Sequence, residues 1–235
     1  YRADPGDYFR RIRQAPGAVL LDAGRPLAQR GRYDLMSAWP MAELVPMPEE
    51  SGNDFLQRLR DALQGLGQAE IPAHQALPFA GGLIGYLAYD FGRRLETFAE
   101  QNIDDQHLED ARFGLYTWAL ISDHQCETSV LMFHPALPQS ERQRLQALFE
   151  AEPGDDQAAF CLHQPFRADI AQSTYRQAIE RIQHYILAGD CYQVNFAQRF
   201  QAPCVGDPWA AYLALRQACP TPFAGFQNLG NGNAI

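Results

Sequence analysis

Apolar positions recur along this chain at two spacings, and each predicts its own elements. Two short continuous runs, GAVLLDAG (17–24) and RYDLMSAW (32–39), have the length of buried strands and are stopped by Gly24 and Pro40. The RPLAQRG between them is a loop by its proline, glycine and charge. Helical spacing appears in DFLQRLRDALQGL (54–66), where Phe55, Leu59, Ala62, Leu63 and Leu66 share one face. Residues 5–14 predict a short helix with Pro5 near its start. The stretch 111–134 holds two β-rich runs around DHQCE, a hairpin pattern. SERQRLQALFEAE (140–152) predicts an amphipathic helix capped by Ser140 and ended by PGDD.

The polar stretch 153–172 is the loosest part of the chain and reads as a linker or excursion. Beyond it, STYRQAIERIQHYILAGD predicts a helix capped by Ser173 and stopped by Gly189, with Tyr175, Ala178, Ile179, Ile182, Tyr185 and Ile186 in one stripe. GDCYQVNFAQRF then alternates as a strand should. Tyr192, Val194, Phe196 and Phe200 are expected in the core, and Gln193, Asn195, Ala197 and Arg199 on the other face. That second face is either solvated or lines a pocket where an uncharged amide is wanted. DPWAAYLALRQA (207–218) is a further helix, with Asp207 as cap and Pro208 at its first position. PFAGFQNL (222–229) predicts a strand and GNGN (230–233) a tight turn. Only Ala234 and Ile235 follow, too few for a returning strand, so an unpaired edge and continuation in a longer protein are expected.

Composition narrows the chemistry. The 235 residues are 46% hydrophobic and 20% charged, enough for one large core. The net charge of −9 argues against a general phosphate-backbone binder, so no nucleic-acid partner is expected. No window approaches the roughly 18 apolar residues of a membrane span. All nineteen basic residues are arginine, which excludes a P-loop lysine, a Schiff-base lysine or any lysine nucleophile within these residues. The five cysteines are odd in number without CxxC spacing, which fits reduced thiols and a cytoplasmic location. The six histidines show neither HxH nor HExxH, so no metal site is assigned in this chain.

GGLIGYLAYDFG tempts a nucleotide-binding reading, but it lacks GxGxxG and the chain has no Walker lysine. Its glycines are instead expected to let a strand bulge or approach another backbone closely, with Tyr89 and Asp90 serving as turn and helix cap.

GDCYQVNFAQRF after its helix resembles the entry strand of the chorismate-utilising enzymes. The resemblance extends over nearly the whole chain: LPFAGGLIGYLAYDFGRRLE matches an FxGG-x-x-G-x-x-x-YD-x-GRR-x-E signature, GLYTWALISDH a central hairpin, and TPFAGF a P-F-x-x-F strand. The match is closest to the aminodeoxychorismate synthase component I branch. The fold this implies is α+β, an antiparallel β-sandwich with helices packed outside, as in anthranilate synthase component I-like enzymes. An amino-terminal region would span 1–165, and 166–235 would begin the chorismate-binding domain.

Functionally, the resemblance implies conversion of chorismate and ammonia to 4-amino-4-deoxychorismate for para-aminobenzoate and folate synthesis. A glutamine amidotransferase subunit would supply the ammonia. It also implies Mg²⁺ on ligands downstream of this chain, and a downstream lysine attacking the ring, so these residues alone are expected to be inactive. Isochorismate-forming relatives carry a lysine where this chain has Gln193. An amide cannot serve as a base towards water but can hold ring substituents, so Gln193 is the active-site lining residue expected here.

A tryptophan pocket is also implied, formed by Leu21 and Ala23 of the first strand, Arg30, Gly31, Arg32 and Tyr33 before the second, and Pro222, Phe223 and Ala224. Ala23 departs from the family there, standing where a serine hydroxyl usually meets the amino acid. The other reading of these residues is ordinary core packing, with Arg32 paired to a carboxylate such as Asp34. Two functional alternatives stand beside the folate branch: anthranilate synthase component I, and a non-catalytic tryptophan-binding or subunit-docking module.

Overall fold

The computed structural model describes residues 1–69, 71, 77–97, 104, 106–152, 159–230 and 232–235. The chain divides into two compact units, Tyr1–Gln157 with Ala211–Ile235, and Ala158–Ala210. The last long strand pairs with β1 and so returns the end of the chain to the first unit.

In the first unit, α1 (Gly6–Phe9) precedes β1 (Val19–Asp22), β2 (Tyr33–Ser37), β3 (Ala42–Leu44), α2 (Gly52–Leu66) and β4 (Gly82–Leu87). A 3₁₀ helix (Tyr89–Arg94), β5 (Ala111–Tyr116), β6 (Trp118–Asp123), β7 (Thr128–Phe133) and α3 (Gln139–Glu150) follow. The second unit holds β8 (Phe160–Leu162), β9 (Arg167–Ala168), α4 (Gln172–Ala188), β10 (Phe200–Gln201) and β11 (Cys204–Gly206). Helix α5 (Pro208–Ala218) leads back to β12 (Ala224–Gly230) and β13 (Asn233–Ala234).

Among the described residues, the first unit carries an antiparallel sheet ordered β13-β12-β1-β2-β6-β7 and a smaller one ordered β3-β5-β4. Thr117 is the crossing point, since β5 ends in the small sheet and β6 begins in the large one. The layers pack because each presents an apolar face. Val19, Leu35, Ala119, Ile121 and Met132 of the large sheet meet Ile84 and Tyr116 of the small one. On the small sheet's other face, Phe55 and Leu59 of α2 meet Leu44, Phe91 and Ala111. Burying each large side chain there contributes about 1.5–3 kcal/mol. An α+β antiparallel sandwich with helices outside is therefore the observed fold. The glycine-rich run also behaves as expected: Gly85 lies in β4, where a Cβ would stand 2.0 Å from the Arg112 carbonyl oxygen of β5.

The DHQCE hairpin forms as β6–β7, with Asp123 opposite Thr128, and Asp207 caps α5 by accepting from the Trp209 amide at 2.9 Å. Gly189 ends α4 in the left-handed region. Several caps differ. Pro138 and Ala171, not Ser140 and Ser173, precede α3 and α4, and neither makes a side-chain cap bond. Ala88 precedes the 3₁₀ helix, while Asp90 lies within it and pairs with Arg93. The expected helix over 5–14 is regular only from Gly6 to Phe9.

Two strand expectations are corrected. Residues 191–199 form no paired strand among the described residues; only Phe200–Gln201 pairs, with Arg167–Ala168. Alternation specifies two faces but supplies no hydrogen-bonding neighbour, and without one the pattern stays unpaired. Tyr192 is accordingly 92% exposed and Phe200 57%, not core. At the other end, β13 does return. Asn233 and Ala234 pair with β12, and Ile235 exchanges backbone bonds with Gln227 at 2.8 and 3.1 Å.

Candidate functional site

Three strands bring the expected pocket residues to one end of the large sheet. Asp22 at the end of β1 lies opposite Ala224 at the start of β12, Leu21 lies between Gly225 and Leu35, and Tyr33 begins β2 opposite Asp123. The loop from 23 to 31 then folds back on itself. Gly31, with φ +100°, packs so closely that a Cβ there would stand 2.7 Å from the Ala23 carbonyl oxygen. Ala23, Gly31, Tyr33 and Ala224 thus gather at this end. Ala23 is buried, Gly31, Tyr33, Pro222 and Ala224 are half-buried, and Leu21, Arg30 and Arg32 are exposed. Phe223 is 89% exposed. Arg30 makes no ion pair among the described residues.

Arg32 pairs with Asp123, its Nη2 2.8 Å from Oδ2 and its Nε 3.1 Å from the same oxygen, and not with Asp34. That hydrogen bonding holds the Asp123 carboxyl down at about 2. The Arg32 guanidinium also lies over the Tyr33 ring at 4.7 Å.

Behind the loop sit two buried carboxylates. Asp34 Oδ1 accepts from the Ala23 amide at 2.7 Å, and its Oδ2 lies 2.7 Å from His124 Nε2. The other imidazole nitrogen, Nδ1, is 2.6 Å from the Tyr1 hydroxyl, and the His124 amide donates to the Arg32 carbonyl at 2.8 Å. Burial pushes the Asp34 carboxyl up to about 6, against the pull of the Ala23 amide and of His124. Asp22 accepts from the Gly24 amide at 2.6 Å, the Tyr212 hydroxyl at 2.7 Å and Arg216 Nε at 2.5 Å. Arg216 also donates to the Arg25 carbonyl, tying α5 to the loop. Burial, with Asp22 beside it, raises the Tyr212 phenol.

This arrangement has a chemical consequence. The amides of Ala23 and Gly24 are consumed by carboxylates, so neither is free to hold an anion. The elements that shape the loop, Asp22, Asp34, His124, Tyr212 and Arg216, did not figure among the expected pocket residues. Their signal was present: Asp22 and Asp34 interrupt otherwise apolar strands, and a charge there requires a buried partner.

In the second unit, Gln193 is exposed and its amide nitrogen donates to Asn195 Oδ1 at 3.2 Å. Among the described residues, no three His, Cys, Asp or Glu side chains converge on a position that would hold a metal. These residues do not by themselves fit a magnesium site. No described helix is long and apolar enough to cross a membrane.

Residues 18–235 match the family model described as chorismate binding enzyme. The chain belongs to that family. It is 35% identical to aminodeoxychorismate synthase component 1 of Escherichia coli, over 99% of this chain and 52% of that protein. To the protein of the same name from Klebsiella aerogenes it is 36% identical, over 100% and 53%. Anthranilate synthase component 1 of Thermus thermophilus is 30% identical over 95% of this chain and 50% of its own length. This member of the chorismate-binding enzymes therefore spans about half the length of the relatives it matches. In fold it resembles anthranilate synthase component I from Streptococcus pneumoniae, with a TM-score of 0.66 at 24% identity, over 87% of this chain and 49% of that one.

Proposed function

We propose that this chain serves in the large subunit of an aminodeoxychorismate synthase, which joins chorismate and ammonia into 4-amino-4-deoxychorismate on the way to folate. The observation carrying this reading is similarity over 99–100% of this chain, and about half of theirs, to relatives of that name, at 35–36% identity, against 30% for the anthranilate synthase of Thermus thermophilus. Gln193 supports it chemically: a neutral amide donates and accepts hydrogen bonds but cannot draw a proton from water, so ammonia rather than hydroxide is the fitting nucleophile. Ammonia would come from a glutamine amidotransferase subunit, and magnesium would be held by acidic residues outside those described here. The cytoplasm is the fitting compartment.

The loop end of the large sheet is proposed to receive tryptophan, through Leu21, Ala23, Arg30, Gly31, Arg32, Tyr33, Pro222, Phe223 and Ala224. With the Ala23 and Gly24 amides occupied, this wall suits an ammonium better than a carboxylate.

The test is to incubate the complete gene product with chorismate, ammonium and Mg²⁺ and identify the product by mass spectrometry. 4-Amino-4-deoxychorismate is expected; anthranilate with pyruvate would overturn the reading. The 235 residues alone, which contain no lysine to attack the ring, are expected to leave chorismate unchanged.

A further inference from the structure

A second cavity lies in the first unit beyond the other end of β2, away from the loop of residues 23–31. It is open to solvent and has a volume of about 310 Å³, at the lower end of the range of small-molecule sites. Its lining includes two indoles, those of Trp39 and Trp118, whose rings lie 6.2 Å apart and 30° from parallel. Trp118 and Leu145 are buried to 2% and 1% exposure.

Three features distinguish this cavity from a packing defect. Trp39 holds φ +52° although it precedes Pro40, a setting that strongly favours extended backbone. A bulky residue in that region costs of order 1–3 kcal/mol, and such strain gathers at binding sites. Thr117 also lines the cavity and brings a hydroxyl to its wall. At the rim, Arg144 lies over the Trp39 ring at 4.4 Å, with its Nε held by Glu141 at 2.8 Å. Its two terminal nitrogens take no hydrogen bond among the described residues, leaving a fork suited to a carboxylate.

The geometry points to a binding site for a small flat aromatic carboxylate, its ring beside the half-buried Trp39 indole, its carboxylate on Arg144 and a polar ring substituent on Thr117. An aliphatic ligand would forgo the stacking surface, and a cationic one would meet the guanidinium already lying on Trp39. The site stands apart from the proposed synthase reading and does not depend on it.

Calorimetry with 4-hydroxybenzoate as probe tests it. One saturable site per chain is expected, with 4-hydroxybenzamide bound at least about tenfold more weakly, as for loss of a charged hydrogen bond. Arg144→Gln, at an exposed position where substitutions usually change stability little, should erase that preference. Thr117→Val should bring 4-hydroxybenzoate down to the affinity of benzoate. Absence of saturable heat, equal binding of acid and amide, or unchanged affinity in both variants would overturn the site.

Discussion

His124 Nε2 and Asp34 Oδ2 lie 2.7 Å apart with both side chains buried, and the pair joins the turn after β6 to the start of β2. The same carboxylate fixes the Ala23 amide, so a single buried group sets the relation between the two arms of the loop. Asp22, on the neighbouring strand, adds negative charge beside it and raises its proton affinity further.

That pair makes stability depend on pH in an identifiable window. The Asp34 carboxyl is raised from 3.8 to about 6, so the folded state binds its proton more tightly than the unfolded chain does. Stability supplied by the protonated form is complete below about 4 and is lost as pH rises through 6. Asn at position 34 cannot ionise, so the Tm of Asp34→Asn relative to the parent should climb between pH 4 and 7. Asp123, held at about 2, acts in the opposite sense: its stabilisation is present above 3.8 and lost as pH falls through 2, outside this window. Thermal melts across pH 4–7 check it, and a constant Tm difference would count against a titrating Asp34.

Asp22 and Arg216 should behave as one unit. Arg216→Met strands a carboxylate that is 2% exposed, and should cost about 3–5 kcal/mol. Asp22→Asn keeps an acceptor for the Gly24 amide and removes the charge, so adding it to Arg216→Met should recover a large share of that loss. A coupling energy of about 1–3 kcal/mol is expected from urea unfolding of the four proteins. Strict additivity would mean the ion pair contributes nothing specific.

The elements that spacing made legible were those whose partners lie close in sequence. The β6–β7 hairpin, α2 and the Asp207 cap are specified by residues within a turn or a short loop of one another. What escaped was long-range pairing. Nothing in YQVNFAQRFQ says that only Phe200 and Gln201 find a neighbour, or that this neighbour lies about thirty residues upstream. Nor does the RYD run reveal that Asp123, not Asp34, receives Arg32, since both are acidic and only the fold brings Asp123 alongside. The residues proposed for the pocket came from family resemblance, whereas the carboxylates behind them are legible only as charges in apolar strands that require partners.

Gly31 offers a clean backbone test of the loop. With φ at +100° and no room for a Cβ beside the Ala23 carbonyl, Gly31→Ala should lose about 1–3 kcal/mol and open the contact between the two arms. Amide exchange at Ala23 should then rise well above the global change in stability. Equal losses everywhere would show that the contact is not locally decisive.

Ala23→Ser asks whether this loop end is an amino-acid pocket at all. Ala23 and Gly31 sit face to face, since a Cβ on Gly31 would lie 2.9 Å from that of Ala23. A serine hydroxyl would therefore stand between the two arms, where the Ala23 and Gly24 amides are already engaged and cannot compete for it. A hydrogen bond from a ligand ammonium to that hydroxyl is worth about 1.5–3 kcal/mol, or one to two decades in affinity. The parent should bind tryptophan more weakly than micromolar, Ala23→Ser should tighten it by about ten- to a hundredfold, and Gly31→Ala should abolish the gain. Calorimetry with L-tryptophan reads all three. Parent binding tighter than micromolar would show that the site holds the amino acid without a hydroxyl, and no binding by either protein would remove the pocket from this loop.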